Sequence, residues 1–179
     1  MKPYFLFYNV LNVLGWSYVL INTLTSKLNN DTPLELWGKI GTALTYTQTL
    51  AGMEILHSLF GLVRSPLMGT FIQVMSRLLI IWCYMVPAEA CHEHWSLYLM
   101  VLSWCFIEVV RYSFYAWNIV VDGNVQKVPY TLFWLRYNLF QILYPTGITG
   151  ELVQMYVAMP YILKTNPVGF RLALAHYGL

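Results

Sequence analysis

SLYLMVLSWCFIEVVRYSFYAWNIV, residues 96–120, is apolar over more than one bilayer crossing, yet it carries Glu108 and Arg111 in its interior. A hydrocarbon layer of about 30 Å takes about 20 residues of helix, and a lone chain segment satisfies its backbone in lipid only as a helix. A charge at that depth costs a few kcal/mol even on lenient insertion scales, so each ionisable group inside a span needs a partner or a function. Positions 108 and 111 share a helix face, where opposite charges can meet as a purely structural pair.

Working outward, similar stretches run from about Tyr4 to Leu24, Leu44 to Val63, Leu67 to Val86, and Pro129 to Leu163. The last is expected as one long kinked span or as two helices hinged at Pro145 to Gly147. The chain has 179 residues, of which 58% are hydrophobic and 10% charged. Soluble domains hold about 45–50% and about 25%, so no single aqueous core can hide this surface. The expectation is an all-α, multi-pass transmembrane helix bundle with five visible spans, one domain over residues 1–179, and no soluble domain.

The net charge of +2 is small and dispersed, which disfavours nucleic acid and a polybasic anchor and leaves membrane lipid as the surroundings. Cys83, Cys91 and Cys105 form no ligand or disulfide pattern and read as small apolar fillers. The first stretch lacks a cleavage site and reads as a retained span. Its Asn9, Asn12 and Asn22 are expected to find partners on other helices. His92 and His94, two apart in an acidic connector, lack a further ligand pattern and are expected at the surface rather than on a metal.

The stretch Tyr144-Pro145-Thr146-Gly147-Ile148-Thr149-Gly150-Glu151 sets a phenol and a carboxyl seven residues apart. That is about two helical turns, so both side chains share a face with Cα atoms roughly 10 Å apart along the axis. A kink at Pro145 would converge them on one small substrate for acid/base chemistry. The same spacing suits a kinked span whose Tyr and Glu only bond neighbouring helices. The remaining polar set at membrane depth is Glu54, His57, Arg77, Glu108, Arg111, Tyr112, Arg136 and Tyr137. Three arginines among three carboxyls suggest internal pairing. The set either lines a cavity or clamps helices together through Glu54 to His57 and Glu108 to Arg111. Nucleophile elbows, zinc-protease motifs and phosphate-binding loops are absent from the sequence, which leaves chemistry without a cofactor.

These motifs resemble the very-long-chain 3-hydroxyacyl-CoA dehydratase family, also called protein tyrosine phosphatase-like proteins, with the plant member as the nearest likeness. The resemblance runs over about residues 4 to 165. It rests on Tyr8-Asn9, Gly15-Trp16, Gln48-Thr49, Glu54-Ile55-Leu56-His57 and Gly61-Leu62-Val63 in the first half. Gln73-Val74, Ser76-Arg77, Glu108, Arg111-Tyr112-Ser113-Phe114, Leu135-Arg136-Tyr137, Leu143 to Gly147 and Glu151-Leu152 continue it in order. It implies Tyr144 and Glu151 as the catalytic pair and loss of water from a (3R)-3-hydroxyacyl-CoA to give a trans-2-enoyl-CoA.

An endoplasmic-reticulum membrane setting is implied as well, beside the condensing enzyme, ketoacyl reductase and enoyl reductase of fatty-acid elongation. An ionised Glu151 would take the proton while Tyr144 supports the hydroxyl or the enolate oxygen, and the reverse division of roles stays open. A long acyl chain would lie within the bundle, with the CoA phosphates near Arg64, Lys127 or Arg136 at the rim. Family members usually carry a sixth span and a basic tail, whereas this sequence ends at Ala175-His176-Tyr177-Gly178-Leu179. Two other classes of function fit an intramembrane polar set: a non-catalytic scaffold for elongase partners, and a small-solute or proton transporter. The absence of an internal repeat weighs against the transporter.

Overall fold

The computed structural model describes residues 2–63 and 66–165. Arg64, Ser65 and the terminal residues 175–179 lie outside the described residues. Every regular element within them is helical: α1 (Lys2–Leu28), α2 (Pro33–Leu50), α3 (Met53–Leu59), α4 (Leu67–Leu79), α5 (Ala90–Glu93), α6 (Ser96–Val120), α7 (Tyr130–Asn138) and α8 (Phe140–Thr165). A π-helical turn, Ile80–Met85, prolongs α4, and a 3₁₀ turn, Val125–Lys127, precedes α7. Three helical stretches, Lys2–Leu28, Leu67–Met85 and Ser96–Val120, are long and apolar enough to cross a membrane.

α1 is built inside out. Its buried face includes Asn9, Asn12, Thr23 and Ser26, while Phe7, Leu14, Tyr18 and Ile21 are exposed. In water that arrangement would be costly on both faces, whereas in a bilayer the apolar side meets lipid and the polar side meets the bundle. The asparagines do not reach across to other helices as expected. The side-chain amides of Asn9, Asn12 and Asn22 donate to the carbonyls of Phe5, Tyr8 and Tyr18, one turn back on the same helix, at 2.6, 2.9 and 2.8 Å.

The expected second span is divided. α2 starts earlier than Leu44 because Thr32 and Glu35 form a reciprocal capping box around Pro33, a strong start signal. It ends at Leu50, and α3 begins after a turn at Ala51-Gly52. Gly61, at φ 64°, closes α3, with Leu62 N–H bonded to the His57 carbonyl at 2.8 Å. Asn30 and Asp122 close α1 and α6 in the same left-handed way, at φ 57° and 53°.

α6 is the central element, packed on α1 along one side and on α8 along another. Lys2 pairs with Asp122 at one end and Lys27 lies over the Tyr98 ring at the other, so α1 and α6 are antiparallel. α8 also runs antiparallel to α6, with Gly150 against Met100 and Gly147, earlier in α8, against Ser103 and Trp104, later in α6. The last region separates at Leu139, not at Pro145 to Gly147. α8 continues through Pro145, where Thr146 and Thr149 hydroxyls donate to the carbonyls of Ile142 and Pro145 at 3.1 and 2.8 Å. Back-bonding of this kind satisfies the threonine hydroxyls within the helix itself.

The connector after the π turn corrects another expectation. His92 is buried, stacked on Trp37 with ring centroids 4.2 Å apart, and its Nε2–H donates to the Met85 carbonyl at 2.6 Å. His94 turns elsewhere, with Nδ1 at 2.9 Å from the Ser96 hydroxyl. Burial disfavours the imidazolium and holds the His92 pKa below the ordinary value of 6.5.

Candidate active site

Between α1, α3, α4, α6 and α8 lies a cavity of about 1200 Å³. Eight of the residues singled out in the sequence line it: Glu54, His57, Arg77, Arg111, Tyr112, Arg136, Tyr144 and Glu151. The other two do not. Glu108 lies behind the wall at 1% exposure, and Tyr137 packs against Phe114 and Phe133.

The pairings are built from α6. Trp104, Glu108, Arg111 and Tyr115 recur at helical spacing and present one stripe. Glu108 accepts Arg77 from α4 and lies 2.7 Å from the Nη2 of Arg111. Arg111 also donates to both oxygens of Glu54 from α3, at 2.8 and 3.1 Å, and the Tyr112 hydroxyl donates to the same carboxylate. Two acids and two guanidinium groups thus form one balanced array joining α3, α4 and α6, the arrangement that makes buried charge tolerable.

Part of the clamp reading holds, with one change of partner. Glu108 and Arg111 do pair, but Glu54 bonds to Arg111 and not to His57. His57 instead shares a hydrogen bond with the Tyr4 hydroxyl at 2.8 Å and meets Tyr4, Phe5 and Tyr8 edge to face. Arg136 is paired with no carboxylate among the described residues. Its Nη2 donates to the Tyr115 hydroxyl at 3.2 Å, and its guanidinium lies over the Tyr115 and Tyr137 rings at 5.6 and 5.9 Å.

Tyr144 and Glu151 share the cavity-facing side of α8 in contrasting settings. Tyr144 is 63% exposed and Glu151 is 8% exposed. Because the helix is continuous between them, their separation along the axis stays at about two turns and no hinge converges them. A substrate must lie along α8 to meet both. The Glu151 Oε1 accepts the indole N–H of Trp104 at 2.8 Å. Sequence reasoning passed over Trp104, whose bond to Glu151 only the structure reveals.

The cavity extends from this pair toward the ends of α1 and α6, where Lys2, Asn118, Ile119 and Arg136 line it. From Trp104 to Ile119 the rise along α6 is roughly 22 Å. Of the basic groups expected at the rim, Arg136 faces the cavity, Lys127 is not among its lining residues, and Arg64 lies outside the described residues. The arrangement offers a buried carboxylate, an accessible phenol and a passage with a cationic mouth, which suits proton transfer on an elongated anionic substrate.

Residues 48–177 match the family described as protein tyrosine phosphatase-like protein, PTPLA. A Caenorhabditis elegans relative named very-long-chain (3R)-3-hydroxyacyl-CoA dehydratase hpo-8 is 36% identical over 159 residues, covering 89% of this chain and 71% of the relative. The rice relative (Oryza sativa subsp. japonica) named very-long-chain (3R)-3-hydroxyacyl-CoA dehydratase PASTICCINO 2B is 36% identical over 171 residues, covering 96% and 75%. The mouse relative (Mus musculus) named very-long-chain (3R)-3-hydroxyacyl-CoA dehydratase 2 is 35% identical over 163 residues, and the chain spans 62% of its length. No solved structure has significant similarity to the chain. With its matched segment covering most of the sequence and its polar array set around one cavity, the chain belongs to the protein tyrosine phosphatase-like (PTPLA) family.

Proposed function

We propose that this protein is a very-long-chain (3R)-3-hydroxyacyl-CoA dehydratase, a hydro-lyase that removes water to give the trans-2-enoyl-CoA. The observation that carries the reading to residues is that Tyr144 and Glu151 line the same cavity as the cationic mouth. Relatives of 34–36% identity carry that activity in their names.

In the proposed reaction, the ionised Glu151 carboxylate takes the proton from C2 of the acyl chain. The C2–H electron pair forms the C2=C3 π bond as the C3–O bond breaks. Tyr144 donates its phenolic proton to the departing hydroxyl, which leaves as water, and that water returns the proton from Glu151 to the phenolate. The division of roles follows the surroundings. Glu151 already accepts an N–H, as a base does, while Tyr144 is open to the cavity and presents a hydroxyl as donor.

The acyl chain lies among the apolar walls, and the CoA phosphates stay in water beside Arg136. Work at the endoplasmic-reticulum membrane, next to the condensing enzyme and the two reductases of elongation, completes the proposal. It follows the family resemblance. Turnover of a defined 3-hydroxyacyl-CoA by the purified protein is the test. Tyr144→Phe and Glu151→Gln are each expected to lower kcat by at least about 100-fold, the usual contribution of a positioned acid or base. Near-normal turnover in either variant removes that residue from the mechanism.

A further inference from the structure

Glu151 does not sit alone in the cavity wall. The Trp104 indole, 1% exposed, donates Nε1–H to its Oε1 at 2.8 Å. An indole N–H only donates, so this bond requires that oxygen to accept. The indole is itself held. Arg77 lies over its ring, 5.1 Å from guanidinium carbon to centroid, and Arg77 is tied to Glu108. On the other side the α8 backbone fixes the carboxylate's origin: a Cβ built on Gly150 would meet Met100 of α6 at 2.9 Å, and one on Gly147 would lie 3.9 Å from Trp104 Cδ1. Backbone and indole thereby fix where the carboxylate sits and which way its plane turns.

We propose that Trp104 is the positioning residue of the reaction: its N–H orients the Glu151 carboxylate toward C2 of the substrate, and Arg77 stacked on the ring holds the indole in that plane. The assignment rests on the dehydratase reading and adds to it a residue that touches neither reacting carbon. It ties the array of Glu54, Arg77, Glu108 and Arg111 to the chemistry through one aromatic ring. That array then serves turnover as well as stability.

The test compares the wild-type protein with Trp104→Phe and with benzothienylalanine placed at position 104, which keeps the indole's shape and lacks the N–H. The isostere covers the case in which the phenylalanine variant does not fold. With a 3-hydroxyacyl-CoA substrate, both changes are expected to lower kcat by about tenfold or more, the scale of one lost hydrogen bond to a charged group, with KM little changed. An active wild-type protein with kcat unaltered in the isostere overturns the assignment and leaves the dehydratase reading standing. A rise in KM alone does the same, since it assigns Trp104 to the cavity lining. Absence of turnover in the wild-type protein overturns the function and this role together.

Discussion

Glu108 shows how an apolar bundle tolerates ionised side chains. It is 1% exposed and sits between Arg77 and Arg111, and of these two cations Arg111 also holds the Glu54 carboxylate. Glu108→Gln takes the paired carboxylate from Arg77 and leaves Glu54 as the one acid of the array for two guanidinium groups, and breaking a buried pair in this way typically costs about 3–5 kcal/mol. A clear fall in the melting temperature of the detergent-solubilised variant is the expected result. His92 gives a second, milder outcome. Its folded pKa lies below the ordinary 6.5 through burial, so its contribution is complete above that value and is lost as pH falls through the depressed one. Chemical denaturation of the wild type is therefore expected to show stability declining below about pH 6.5, with a smaller decline in His92→Phe, which keeps the stack on Trp37. The charged members of the site were legible in the sequence because acids and arginines are rare at membrane depth. Trp104 was not, since an indole in a span reads as one more apolar ring until its N–H is seen on Glu151.

Among the elements, α8 depends most on close approach. A Cβ at Gly150 would fall 2.9 Å from the Cα, Cβ and N atoms of Met100, and backbone cannot yield as a flexible side chain does. Gly150→Ala is expected to push α8 from α6 at a cost of about 1–3 kcal/mol, as overpacking does, and to draw Glu151 away from Trp104. Lower stability together with loss of dehydratase turnover, measured on the same preparation, checks it. The sequence revealed the existence of α4 and α6 and their near-correct limits, because long uniform apolar runs have few alternatives. It misplaced the breaks around α2 and α8. The capping box at Thr32 and Glu35 competes with an apolar count that starts later, and α8 runs on through Pro145 where proline alone predicts a hinge.

For the whole molecule, the proposed function sets one orientation for the substrate, headgroup toward Arg136 and reacting carbons beside Tyr144 and Glu151, all of which line the one cavity. If Arg136 meets the CoA phosphates, Arg136→Gln raises KM for a 3-hydroxyacyl-CoA by about tenfold, the value of one charge-assisted hydrogen bond. KM for the matching N-acetylcysteamine thioester, which has no phosphate, is expected to stay unchanged. Equal effects on both thioesters would place Arg136 elsewhere in the reaction. The membrane class was legible from composition, but a shared cavity was not, because it depends on how antiparallel helices align in depth. The π turn at Ile80–Met85, where Val86 N–H reaches back to the Ile81 carbonyl at 2.8 Å, has a genetic consequence. A widened turn holds one surplus residue, so a lineage can delete a codon there and recover ordinary winding with both flanks still facing their neighbours. The same deletion within α4 would swing everything on one side of it through about 100° and part Arg77 from its acid, so length variation among descendants of this gene should collect at that turn.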